Sequence, residues 1–354
     1  ECLTALLQGS FSLYVIITER KVYLRNDRYC YGTIFFCYAV GECIVKIRFL
    51  CYNKLNDKNL AEGIKVIIEF KYSVVQDLMY HILAHMKVDN PSNLYSEAYI
   101  DNVKEIKKGR YDSITDVVSP LSNYYNENFE RLGVINFLPF VCSSVQDLIG
   151  AIENYYGFTE TDKKEFIFPL IQLLKSEFEF YEGYWNELYA TTSICRKSFE
   201  SWLKSGMSKY ETLFSYFNKS AVVGMSYSLT NNGRGFGDTS SFNAVVPFAF
   251  DESEYKNIFY QILHEYTHQF TDKLIGESIR MDDETHDSSE KAVILFDYYL
   301  VKKLYKEDTD SYLKWIGSLA NADNCDENLF LSVFKINDDI NEKLLELVEK
   351  ITRR

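Results

Sequence analysis

The stretch that most constrains this chain runs from Asp251 to Leu274, where apolar residues recur at helical spacing around the pentapeptide HEYTH. Asp251 and Glu254 form a D-x-x-E start signal resembling a capping box, so a helix is expected from about Ser253 to Leu274. At about 100° per residue, Tyr255, Ile258, Phe259, Ile262, Leu263, Tyr266, Phe270 and Leu274 gather on one side. Asn257, Gln261, His264, Glu265, His268 and Asp272 lie opposite. Such a helix must press its stripe into a core. Its histidine-bearing face is then left for something else.

Histidines at i and i+4 stack on adjacent turns, so His264 and His268 can both reach one ion at about 2.0–2.1 Å. Glu265, next to the first of them, points beside that ion, where it can take a proton from water. A solvated helix face that happens to spell HExxH is the bland alternative. The helical register, the apolar stripe and the scarcity of histidine (five in the chain) weigh against it. One zinc ion per chain is therefore expected.

A catalytic zinc needs a third protein ligand and an open position. The metzincin extension is excluded, because Thr271 and Leu274 stand where Gly and His would be required. Ser288-Ser289-Glu290 opens a second amphipathic pattern, carried by Ala292, Val293, Leu295, Phe296, Tyr299, Leu300 and Leu304. Glu290, 22 residues after His268, is the leading third ligand. Glu284, His286 and Asp287 compete with it, and helix-dipole preference alone would also favour an acid there.

The rest of the chain sets the frame. Its 354 residues are 47% hydrophobic and 25% charged with 16 Gly and 5 Pro, which excludes collagen-like and largely disordered classes. A net charge of −13 without a basic run makes nucleic acid an unexpected partner. No apolar window is long enough for a membrane span, and no signal peptide is visible in the chain as given. The compartment is left open. Five of eight cysteines (Cys2, Cys30, Cys37, Cys43 and Cys51) fall in the first 51 residues without a CxxC pair.

Three regions are expected: an N-terminal segment 1–60 of uncertain status, a helical lobe 61–219, and a catalytic lobe 220–354. Strands are expected over Ser12–Arg25, Thr33–Tyr52 and Ile64–Phe70, a linker over Asn53–Gly63, and helices over Val74–Met86 and most of Pro91–Leu213. Ala221–Leu229 and Ala244–Phe250 read as two strands of a hairpin around the Gly/Asn/Ser loop Asn231–Asn243. Gly233, Gly235 and Gly237 read as flexibility at its tip rather than a phosphate loop. His81 and His85 (HILAH), with no Glu after the first, read as structural.

HEYTH followed by a helix-borne Glu resembles the gluzincin metallopeptidases. More closely, the stretch from about Asn90 to Leu304 is similar to an uncharacterised bacterial family of predicted gluzincins. The shared texture is a Tyr/Phe-rich helical region (Phe178–Tyr189), the Asn-Gly-rich loop, and the order hairpin, HExxH helix, Glu helix. The resemblance implies an α+β zincin-like fold, mostly helical, with a small antiparallel sheet on the active-site helix. It implies His264, His268 and Glu290 as zinc ligands and Glu265 as general base and acid. It also implies that the strand before the motif helix, here Asn243–Val246, pairs with an extended peptide.

Gluzincins often place an Asp one turn after the ligand Glu to orient a zinc-bound His; here Ile294 occupies that place. Asp297 and Asp272 can substitute, though each reads first as a surface or capping acid. The oxyanion donor, usually a Tyr or His in such enzymes, is left open; Tyr298, Tyr299 and His286 are near in sequence. The expected activity is zinc-dependent peptide hydrolysis on a peptide or protein substrate. The alternatives are a zinc hydrolase of a non-peptide amide or ester, and a non-enzymatic binding protein with a degenerate site.

Overall fold

The computed structural model describes residues 22–24, 28–30, 67–86, 96–107, 113–208, 210, 220–230, 233–237, 241–275, 283–319 and 325–352. The chain divides into two units, Glu1–Gly63 and Ile64–Arg354. In the first, β1 (Val22–Leu24) pairs antiparallel with β2 (Arg28–Cys30), whose last residue is one of the clustered cysteines. β1 lies in the expected strand Ser12–Arg25. The strand Thr33–Tyr52, the linker Asn53–Gly63 and Cys2, Cys37, Cys43 and Cys51 lie outside the described residues.

The second unit is mostly helical around a mixed four-stranded sheet. Its strands are β3 (Ile67–Tyr72), β4 (Ser220–Ser226), β5 (Arg234–Gly237) and β6 (Ser241–Pro247), in the order β3-β4-β6-β5. β3–β4 and β4–β6 are parallel; β5–β6 is antiparallel. β3 from the expected helical lobe thus shares a sheet with the strands after Ser220, and no division falls at residue 219.

This corrects two expectations. The sheet is mixed, not antiparallel, and β4 and β6 are parallel neighbours rather than the arms of a hairpin. The reason lies in their burial. Gly224, Met225 and Ser226 of β4 and Ala244, Val245 and Val246 of β6 are buried at successive positions, so each strand is covered on both faces there. Strands buried on both faces are read as interior, often parallel strands, and a hairpin with one wet face would alternate instead. The expected loop therefore holds a strand of its own: β5 runs back against β6, which lets β6 enter the sheet parallel to β4.

The longer helices among the described residues are α1 (Val74–His85), α2 (Glu97–Lys107), α3 (Ser113–Glu127), α4 (Val145–Glu153), α5 (Phe168–Thr191), α6 (Ser193–Ser208), α7 (Tyr255–Ile275), α8 (Asp283–Leu304), α9 (Thr309–Leu319), α10 (Glu327–Val333) and α11 (Asp338–Thr352). Ser73 caps α1 by accepting the Gln76 N–H at 3.3 Å. α1 is buried along its length, so its polar groups need internal partners. His81 has Tyr99 and Glu177, each at 2.8 Å, and His85 donates from Nδ1 to the His81 carbonyl at 2.8 Å. Asp77 accepts from Trp185 Nε1 at 3.0 Å, from Ser226 Oγ, and from the Tyr227 N–H at 2.9 Å. That carboxylate fixes the end of β4, from which the chain sets off toward β5.

Candidate metal centre

α7 carries HEYTH, and its start is built as its sequence directs. Asp251 accepts the Ser253 N–H at 2.8 Å, a short 3-10 turn covers Glu252–Glu254, and Glu254 reaches back to the Phe250 N–H at 3.2 Å. The expected stripe is buried, from Tyr255 through Phe270. So are Gln261, Thr267 and Thr271, because α7 is wrapped by more than the sheet. Tyr266 meets Phe242 of β6, Phe259 meets Trp202 of α6, Tyr260 meets Trp315 of α9, and Phe270 meets Phe296 of α8. Only partial exposure remains for His264, Glu265 and His268.

α8 packs against that opening and brings Glu290 to it. His264 Nε2 lies 3.1 Å from Glu290 Oε2, and His268 Nε2 lies 3.5 Å from Oε1. His264, His268 and Glu290 each offer one ligand atom, all within 4.8 Å of one another. Two ligands at about 2.1 Å from one tetrahedral ion stand about 3.4 Å apart, so this spacing fits a shared ion. The imidazole spacing of 4.9 Å between ring centres is the i, i+4 stacking of adjacent turns.

Behind His264 stands Asp297. It is fully buried, and its Oδ2 faces His264 Nδ1 across 3.5 Å; neither atom has another hydrogen-bond partner among the described residues. Thr267, the fourth residue of HEYTH, donates to Asp297 Oδ1 at 2.6 Å. The surface or capping reading of Asp297 is therefore overturned. The acid holds the far side of a histidine whose Nε2 looks into the triad, the arrangement that fixes a ligand's tautomer and orientation. Burial opposes charge on His264, but Asp297 and Glu290 outweigh it and hold the imidazole well above its usual range.

Glu265 lies under the edge strand. A Cβ placed on Gly235 of β5 would stand 2.8 Å from both Cβ and Oε2 of Glu265, and one on Gly233 would meet Glu265 Cγ at 3.4 Å. These glycines are there for close approach, which replaces the reading of Gly233 and Gly235 as loop-tip flexibility. The expected peptide-pairing segment Asn243–Val246 also needs correction. It belongs to β6, which is paired on both sides by β4 and β5, so it has no edge to offer. The outer strand on this side is β5.

Other expected residues fall elsewhere. The Tyr299 hydroxyl donates to Asn341 at 2.9 Å, and the Tyr298 hydroxyl accepts from Lys302 at 3.1 Å, so both hydroxyls are engaged away from the triad. Glu284, His286 and Asp287 lie on α8, but their side chains, like that of Asp272, are outside the described residues. No family model, curated protein or solved structure matches the chain. Among the described residues, no helix is long and apolar enough to cross a membrane.

Proposed function

We propose that this chain is a zinc-dependent metallopeptidase of gluzincin type. The observation that carries the proposal is the convergence of His264, His268 and Glu290, with every ligand atom within 4.8 Å of the others. Nitrogen and carboxylate donors of this kind suit zinc, and three protein ligands leave a position open. The buried Asp297 at His264 adds the partner that zinc-bound histidines ordinarily have. A degenerate site would be favoured by a distant Glu290; the 3.1 Å approach to His264 weighs against it.

In this reading His264, His268 and Glu290 hold the ion, which when bound supplies Lewis-acid polarisation of the substrate carbonyl and acidification of water. Asp297 keeps the His264 ring turned so that Nε2 faces the ion. Glu265 takes the proton from the attacking water and returns it to the departing amine. β5 lies directly over Glu265 and is the outer strand among the described residues, so an extended peptide adding to its outer side passes across the carboxylate. That edge is what favours a peptide over a small amide or ester. The sheet order, with an antiparallel edge strand above the HEYTH helix, supports the zincin-like arrangement.

The test is zinc content by mass spectrometry combined with cleavage of a peptide library. Wild type is expected to hold one zinc and to cleave, Glu290→Ala to lose the metal, and Glu265→Gln to keep the metal without cleaving. Absence of zinc from wild type would sink the proposal. Cleavage undiminished in Glu265→Gln would remove that residue from its role.

A further inference from the structure

A second set of polar side chains gathers on the opposite face of the same sheet. Residues alternate along a strand, so Phe242 turns toward α7, where its ring meets that of Tyr266 at 5.0 Å, and Asn243 turns away. The register sets Glu69, Val222 and Asn243 side by side on this outer face, with Lys71 and Gly224 in the next row. With Gln76 of α1 and Phe140 they line a cavity of about 210 Å³. Gly224 admits Gln76 to it, since a Cβ there would stand 2.6 Å from Gln76 Oε1.

The lining is half polar and half apolar, with Glu69 exposed and Lys71 half-buried. Among the described residues, the side chains of Glu69, Lys71, Gln76 and Asn243 have no hydrogen-bond or ion-pair partner; Gln76 bonds only through its backbone N–H, to Ser73. Gln76 is 4% exposed as a residue and turns its amide to the cavity. Glu69 and Lys71 sit two residues apart on one strand face, about 6.6 Å along the chain, yet they do not pair. A lone anion in this cavity would face Glu69, and a lone cation would face Lys71. A neutral molecule would leave both charges unmatched.

We propose that this cavity binds a free α-amino acid as its zwitterion. The ammonium group sits on Glu69, the carboxylate on Lys71, and the amides of Gln76 and Asn243 supply neutral donors and acceptors. The volume equals that of about seven waters, which suits a small or medium-sized amino acid. The site is separate from the His264 centre and stands whether or not that centre is catalytic.

Calorimetric titration of the full chain with L-alanine, L-serine, L-leucine and L-glutamate tests this, with propionate and ethylamine as single-charge probes. At least one amino acid is expected to bind once per chain at millimolar concentration or below, and neither single-charge probe to match it. Glu69→Gln and Lys71→Met should each weaken binding at least about tenfold. Both positions reach solvent, so the variants should melt with wild type, and thermal unfolding checks that. Amino acids also ligate zinc, so the titration is repeated in Glu290→Ala, where cavity binding must survive. The proposal is overturned if no amino acid binds, if propionate or ethylamine binds as tightly, if both charge variants bind undiminished, or if Glu290→Ala abolishes binding.

Discussion

Gly235 and Glu265 are so close that a single methyl group does not fit between them: a Cβ on the glycine would lie 2.8 Å from the Cβ of the glutamate. Cβ atoms move only with their backbones, so this contact cannot be relieved by a rotamer change. The edge strand and the HEYTH helix are fitted to each other at Glu265, the residue proposed to move the proton.

Gly235→Ala is therefore expected to push β5 and α7 apart locally. The cost should be about 1–3 kcal/mol, typical of overpacking. Zinc should remain, because the nearest neighbours of the new methyl group are Glu265 and Phe242 rather than His264, His268 or Glu290. Peptide turnover should fall about a hundredfold, as misplacement by an ångström or so can cost. Zinc content, melting temperature and turnover measured on one preparation separate these effects; loss of zinc would show that the glycine matters to the ligands instead.

Asp297→Asn should act on the metal rather than on the fold of α7. The amide matches the carboxylate in size but brings no charge to His264 Nδ1. Loss of such a partner typically weakens metal affinity about 10–100-fold. Competition against a fluorescent chelator gives the number directly. An unchanged zinc affinity would reduce Asp297 to a buried acid held by Thr267.

Metal removal should also register as stability. A ligand that binds only the folded chain adds about 4 kcal/mol at a thousandfold excess over its dissociation constant. A chelator should lower the melting temperature of wild type and leave Glu290→Ala unmoved. Equal shifts in both proteins would mean that the ion responsible is held elsewhere.

The legible part of this site was the part governed by helical periodicity. His264, Glu265 and His268 lie opposite an eight-residue apolar stripe, and Glu290 lies in a second stretch of the same kind, so both faces that carry the candidate ligands follow from spacing; the second helix begins at Asp283 rather than at Ser288, which puts Glu290 in its interior and not in its first turn. Asp297 was legible in principle. It sits with Val293, Phe296 and Leu300 at i, i+3, i+4 and i+7, and an acid inside such a pattern is a buried acid. The glycines also carried a signal. Gly233, Gly235 and Gly237 repeat every second residue, so in a strand they line one face, the mark of a close neighbour rather than of a flexible tip. The sheet order was harder to read. Strand pairing is non-local, and a parallel β4–β6 contact leaves only a weak trace in short apolar runs, Ala221 to Met225 and Ala244 to Val246.

In the helical region, Asp162 should make the fold acid-sensitive. Its carboxylate is fully buried and accepts from Tyr124 at 2.9 Å, from Arg131 Nε at 3.1 Å and Nη2 at 3.0 Å, and from the Thr159 N–H at 2.9 Å and hydroxyl at 2.7 Å. Arg131 above all, helped by Thr159, holds the group well below the usual carboxylate range against the opposing effect of burial. A depressed folded value means that the stabilisation is complete above the unfolded value of about 3.9 and is lost as pH falls below it, because the unfolded chain takes up the proton first. Asp162→Asn should cost about 1–2 kcal/mol at neutral pH, the modest end for charged hydrogen bonds because Arg131 is partly exposed. The gap between variant and wild type should narrow steadily as the pH is taken from about 5 toward 2, as the linkage requires. Melting curves across that range decide it: a gap that stays constant, or widens in acid, would show that Asp162 contributes through packing rather than through its charge.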